Sequence, residues 1–403
     1  MIDLVLCASG ADEVRIAHDV ARDPHRRARI VRRCADLPET LAVAAAGIGD
    51  VVLIDIGVRG MDREAAAELA RTGTAVVGLR PPDAEPAASA AAMGISAIID
   101  SASPLQELLE ACESALAPGA EGDSTAWLEN PLEPTEQRGT LVALWGPTGS
   151  PGRSTLAVNL AAEVAALGSE SILVDADTYG PSLTQVLGVL DEAPGLVAAS
   201  RAASRGTLDA ATIQSLLPLV RERLRLLSGI GVASRWAEVR SASLDLVWSR
   251  LLERDAVLFA DVAAPLEEDE ELSYDTAAPQ RNAAALSAVR RADLLLAVVA
   301  ADPVSITRLV RERERIEELR TGELQVVVNR LGAPVPEARV RELILSHLPA
   351  SAVHVLPDDP ATCRRSAWDG TLLLESAPRS PLRTAIRALA AQISAAHRDR
   401  IAP

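Results

Sequence analysis

Short apolar runs recur along the chain, and each is followed by a longer stretch with apolar residues at helical spacing. Ile2 to Ala8, Val51 to Asp55, Ala75 to Leu79 and Ala97 to Asp100 read as buried strands. Between them lies helical sequence, Ala-rich near residues 39–46, and Pro104 to Leu116 closes the series. The second half repeats the rhythm. Thr140–Leu144, Ser171–Asp177, Leu224–Ile230, Val257–Asp261, Leu294–Val299, Leu324–Asn329 and Ser351–Leu356 are its expected strands, and Pro381 to Ala395 is a final helix. Strands alternating with helices predict parallel sheets covered on both faces.

Ala117 to Arg138 breaks the rhythm, with Pro, Gly, Ser and Glu in place of periodic apolar residues. This predicts residues 1–116 as one domain, 117–138 as a linker and 139–403 as a second, larger domain. Several apolar runs in the second domain end on polar chemistry. The first leads into Gly146-Pro147-Thr148-Gly149-Ser150-Pro151-Gly152-Arg153-Ser154-Thr155 and then into a helix expected to carry Leu156, Leu160, Val164 and Leu167 on one face. Strand, glycine-rich turn and helix start place backbone N–H groups around one point and favour an anion there. The next strands end on Asp175 and Asp177, on Asp261, and on Asn329 with Arg330, and the last runs into Pro357-Asp358-Asp359-Pro360. In open α/β sheets ligands bind at that edge. Any one of these carboxylates alone would more often be a helix cap.

Composition narrows the function classes. The 403 residues carry a formal charge of −16, and all 40 basic residues are Arg. That balance, with 2% aromatics, argues against broad nucleic-acid binding and base-stacking platforms. Four cysteines, at 7, 34, 112 and 363, match neither a metal spacing nor a disulfide framework. The start Met1-Ile2-Asp3-Leu4 has no basic segment or long apolar core, and no uncharged apolar run reaches a membrane span. A cytoplasmic chain is the expectation. Arg311 to Glu318 predicts an exposed helix face laced with i,i+4 pairs. Arg22 to Arg33 predicts a surface helix and edge, and the acidic run Leu266 to Glu271 a solvated loop or a partner contact.

The stretch Thr148 to Thr155 resembles the deviant Walker A loop of the MinD/ParA ATPases, Lys-Gly-Gly-x-Gly-Lys-Thr/Ser-Thr/Ser. Gly149, Gly152, Ser154 and Thr155 match. Thr148 stands where the family has its signature Lys, and Arg153 where it has the phosphate-binding Lys. Arg keeps the charge but not the compact shape. The resemblance implies ATP or ADP with Mg²⁺ as cofactors, held by Gly149, Ser150, Gly152, Arg153, Ser154 and Thr155. It implies Ser154 and Asp261 at the metal and Asp175 and Asp177 placing the attacking water, with Arg153 on the phosphates. Asn329 and Arg330, with Pro357 and Asp358, would hold the base. It also implies a homodimer closing through a nucleotide sandwich.

The first domain resembles a response-regulator receiver, a flavodoxin-like fold, with Asp55 at the phosphoryl-acceptor place. Cys7-Ala8-Ser9-Gly10 stands where receivers keep an acidic pair, Asp12 and Glu13 come late, and there is no Lys, so a degenerate receiver is expected. Such a domain would recruit protein partners. The layout as a whole resembles the CpaE/TadZ group, which localises pilus-assembly or secretion machinery; other branches act at the septum or in chromosome partitioning. The expected function is therefore an ATP-binding spatial organiser with slow hydrolysis. The alternatives are a non-catalytic scaffold of the same fold and, less favoured, a DNA-partitioning ATPase. Recruitment to the inner face of the membrane stays open, but the stripe Leu382, Ile386, Leu389 and Ile393 reads better as a packed terminal helix than as a lipid anchor.

Overall fold

A computed structural model describes residues 1–58, 60–80, 94–117, 139–149, 152–189, 193–268 and 279–401. These divide into two compact units, both α/β. Residues 118–138 of the expected linker, Ser150 and Pro151 of the glycine-rich loop, and the acidic run from Asp269 lie outside the described residues.

The first unit holds strands β1 (Ile2–Cys7), β2 (Ala28–Arg33), β3 (Val51–Asp55), β4 (Ala75–Arg80) and β5 (Ala97–Asp100). Its described helices are α1 (Gly10–Ala21), α2 (Leu37–Ala45), α3 (Arg63–Arg71) and α4 (Leu105–Ala115). The sheet is parallel in the order β2-β1-β3-β4-β5, the flavodoxin-like arrangement. Alternation divides the core. Val5, Cys7, Val52 and Ile54 face one layer, and Leu4, Leu6, Val51, Leu53 and Leu79 face the other. Asp12 and Glu13 sit in the first turn of α1, where they suit the helix dipole. Asp12 accepts from Ser101 Oγ at 2.8 Å and Glu13 pairs with Arg33. The Arg-rich stretch becomes the edge strand β2, with Arg29 on Asp3 at 2.6 Å and Arg32 on Glu39 at 2.6 Å.

The second unit holds β6 (Thr140–Trp145), β7 (Ser171–Ala176), β8 (Leu219–Arg221), β9 (Leu224–Leu227), β10 (Val257–Val262), β11 (Leu294–Ala300), β12 (Glu323–Leu331) and β13 (Ala352–Pro357). They form one sheet in the order β13-β12-β11-β6-β10-β7-β9-β8, parallel except for the β8–β9 pair. The short β8 has no counterpart in the apolar pattern, and the strand expected over 224–230 stops at Leu227. The helices that bear on the site are α5 (Arg153–Ala166), α6 (Leu183–Val186), α7 (Ala283–Arg291), α8 (Pro303–Arg311), α9 (Arg313–Leu319), α10 (Pro360–Trp368) and α11 (Pro381–Ile401).

Helix α5 departs from the one-faced reading: every residue from Leu156 to Ala165 is buried. It lies between the sheet and α11, and Ala157, Ala161, Ala162 and Ala165 let both neighbours approach. Glu163 on α5 is 1% exposed and meets Arg383 at 2.7 Å and Arg387 at 3.3 Å on α11. Leu382, Ile386, Leu389 and Ile393 pack into the same core, so the apolar stripe of α11 faces protein. Among the described residues no helix is long and apolar enough to cross a membrane. The Arg311–Glu318 run is not one helix. It breaks at Glu312 between α8 and α9, and keeps Arg313–Glu317 at 2.8 Å as its i,i+4 pair.

Candidate functional site

The glycine-rich loop leaves the C-terminal end of β6, the central strand of the sheet. Gly149 and Gly152 both adopt positive φ, +83° and +84°. A side chain is strained there, and it would also collide: a Cβ on Gly152 would strike the Asn329 amide, and one on Gly149 would lie 2.7 Å from Arg308 Nη1. Gly152 caps α5 in the left-handed conformation, so the loop turns directly into the helix whose first N–H groups lack intrahelical partners.

Two groups of residues flank the loop. On one side, Gly152, Thr155, Asn329, Arg330, Pro357 and Asp358 line a cavity of about 390 Å³, a size that suits a small organic ligand. Asn329 lies in β12 and hydrogen-bonds the Arg330 amide through Oδ1 at 2.9 Å; Arg330 itself has φ +59°. Cys363 and Arg364 of α10 and Ile386 of α11 belong to the same wall. The sequence reading missed these as lining residues, because a position on a helix face emerges only when the helix docks.

On the other side, Arg153 at the start of α5 folds onto carboxylates. Its Nη2 donates to Asp177 Oδ2 at 3.0 Å, its Nε to Asp261 Oδ1 at 3.3 Å, and its Nη1 to the Gly146 carbonyl at 3.4 Å. Asp261, on β10, is 1% exposed. Burial pushes its carboxyl up to about 6 against the pull of Arg153 and a hydrogen bond with Ser154. Among the described residues its Oδ2 has no hydrogen-bond partner. A buried carboxylate oxygen left open beside the Ser154 hydroxyl suits a hard cation such as Mg²⁺. No cluster of three or more His, Cys, Asp or Glu that could hold a metal occurs among the described residues, so other ligands would have to come from a phosphate or water.

Asp175 and Asp177 are separated in function by two residues. Asp177 Oδ1 accepts from the Tyr179 and Gly180 amides at 2.8 and 2.9 Å, which leaves Oδ2 for Arg153. Asp175 is 1% exposed and its Oδ2 accepts from the Ser182 and Leu183 amides at 2.9 and 3.0 Å, at the start of α6. Burial, with Asp261 nearby, pushes its carboxyl up to about 7. Its position is that of an anchor for the 177–183 turn. Arg308 on α8 also went unread: its Nη1 donates to the Thr148 carbonyl at 2.7 Å, beside the loop. In the first unit, Asp55 Oδ1 accepts from the Gly57 amide at 2.8 Å, closing a local turn at the end of β3.

A family model for ParA, described as NUBPL iron-transfer P-loop NTPase, matches residues 140–228. Solved structures share the architecture. The septum site-determining protein MinD with Mg-ADP from Pyrococcus horikoshii is 18% identical, covering 63% of this chain and 96% of its own, at a TM-score of 0.52. The cell division ATPase MinD of Pyrococcus furiosus is 20% identical over 64% and 99%, at 0.51. A ParA family ATPase from Chlorobium tepidum is 16% identical over 64% and 99%, at 0.53. The second unit has the ParA/MinD P-loop NTPase fold. A comparison with curated proteins finds no match. In this ParA/MinD-type unit the strand-end residues of β6, β7, β10 and β12 face the loop at one edge of the sheet.

Proposed function

We propose that the chain is a nucleotide-dependent spatial organiser of the CpaE/TadZ type: an ATP/Mg²⁺-binding ParA/MinD-like domain, residues 139–403, joined through 117–138 to a degenerate receiver, residues 1–116. The observation that carries this is the convergence at one sheet edge of a two-glycine loop, a buried Asp261 with an open oxygen beside the half-buried Ser154, and a base-sized cavity beside Asn329. ATP or ADP would lie with its phosphates over Gly149 to Thr155 and its base between Asn329, Arg330 and Pro357-Asp358. Mg²⁺, held at Ser154 and Asp261, would neutralise phosphate charge. Asp177, fixed by its turn, would orient water; Asp175 would hold that turn in place.

Slow turnover follows from the loop chemistry. Thr148 supplies no charge, and Arg153 is committed to carboxylates by its planar fork. The same observation favours a second reading, a scaffold that binds nucleotide without hydrolysing it. The product would be a localisation switch that works by closing as a dimer and recruiting protein partners through the first unit. Transfer of an iron cluster is disfavoured, since Cys363 is the second unit's single cysteine and cluster ligation uses several thiolates.

Calorimetric titration of the full chain with ATP and ADP, with and without Mg²⁺, tests the reading. Binding at micromolar to millimolar nucleotide is expected; no heat at millimolar ATP refutes it. A turnover assay on the same protein then separates the switch from the scaffold, because hydrolysis lost in Asp177→Ala belongs only to the switch.

A further inference from the structure

We propose that Arg153 is the built-in counter-cation of the Asp177–Asp261 pair, and that a divalent cation reaches these carboxylates only by displacing it. The proposal deepens the nucleotide-site reading and rests on it for the identity of the incoming metal. One guanidinium joins a carboxylate of β10 and one just past the end of β7, at 3.3 and 3.0 Å, and a third N–H reaches the Gly146 carbonyl at 3.4 Å. The three side chains are 14%, 12% and 1% exposed, so water screens the contacts poorly. A planar fork spreads five donors over three nitrogens and so spans two carboxylates and a carbonyl, whereas an ammonium would have to draw all three acceptors around a single atom.

Charge does the rest. The two carboxylates and one guanidinium sum to a single negative charge, and Asp261 Oδ2 still lacks a donor among the described residues. Arg153 is the basic partner that the described contacts give Asp261. Moving Arg153 towards a phosphate would therefore strand a buried carboxylate, and stranding one member of a buried pair is strongly unfavourable. A divalent cation removes that penalty and brings a second charge to the open oxygen. Arg153 and the metal thus compete for one pair of carboxylates, and Arg153 becomes available to an anion only when a metal takes its place. Nucleotide without metal is expected to bind with Arg153 still held.

The test uses Mn²⁺ alone on the full-length, nucleotide-free protein, followed by electron paramagnetic resonance of the free ion. Wild type is expected to bind Mn²⁺ weakly, Arg153→Gln about tenfold or more tightly, and Arg153→Lys in between. Adding Asp261→Asn to Arg153→Gln should abolish the gain. Thermal melts confirm that each variant is folded, and the Lys variant keeps a charge should Gln fold poorly. Equal affinity in wild type, Arg153→Lys and Arg153→Gln, or a gain that survives Asp261→Asn, overturns the proposal. The nucleotide reading fails separately: a chain that shows the Mn²⁺ gain but binds no ATP loses its function assignment and keeps the exchange.

Discussion

Removing Arg383 should loosen the helix that presents the phosphate loop. Glu163 sits in the last turn of α5, is 1% exposed, and takes Arg383 Nε at 2.7 Å and Nη2 at 3.4 Å. Arg387 supplies a second contact at 3.3 Å, but its side chain is 47% exposed. Deleting the sole partner of a buried charge costs about 3–5 kcal/mol. Arg387 remains, so Arg383→Met should cost about 2–3 kcal/mol, the methionine recovering the stem packing. Because the cost comes from the stranded carboxylate, adding Glu163→Gln should restore about half of it or more. In a domain of this size 1 kcal/mol moves the melting point by about 2–4 °C. Circular dichroism melts of the second unit's transition in the two single variants and the double variant provide the check. A loss below about 0.5 kcal/mol in Arg383→Met, or a double variant no better than the single, refutes the buried-charge account.

Gly152→Ala should destabilise the second unit by about 1–2 kcal/mol through its left-handed backbone, and should weaken nucleotide binding at least tenfold because the new methyl meets Asn329; unchanged affinity in a fluorescent-nucleotide titration counts against the loop as the binding element. Stability should fall between pH 5 and pH 8. Burial raises the folded-state carboxyls of Asp175 to about 7 and Asp261 to about 6 from 3.8, so the stability they contribute is complete below 3.8 and lost as pH rises through those values. For Asp175 the loss across that range is roughly 2–3 kcal/mol, and urea melts of Asp175→Asn should show a flatter pH dependence. In the first unit, Asp36 caps α2 by accepting from the Glu39 amide at 2.9 Å, so Asp36→Ala should cost that unit about 1 kcal/mol and leave nucleotide binding untouched.

The sequence by itself determined the strands that are buried on both faces. Runs such as Leu141–Trp145 and Val257–Phe259 have no polar alternation because parallel sheets are covered on both sides, and that pattern is local. It also determined which chemistry could end those strands, since the loop glycines, Ser154, Asp177, Asp261 and Asn329 are fixed in order along the chain. Where local pattern is weak the reading fell short. The three-residue β8 is held by pairing with β9 rather than by its own apolar content. The break falls at Glu312, which is partly buried, and no Gly or Pro in the local sequence marks it. Alanines on all sides of α5 look like one amphipathic stripe until α11 packs on the far side.

Only the tertiary structure decided partners. Nothing local marks Arg308 as lying on the Thr148 carbonyl, 160 residues away, or Cys363 as facing the cavity of Gly152. The sequence placed Arg153 in a phosphate loop; the fold brings β7 and β10 side by side on one flank of β6, and so sets two carboxylates within reach of one guanidinium. Strand order is a long-range property, fixed by which apolar faces can be covered together. It is that order, and not the motif, that gives Arg153 its neighbours.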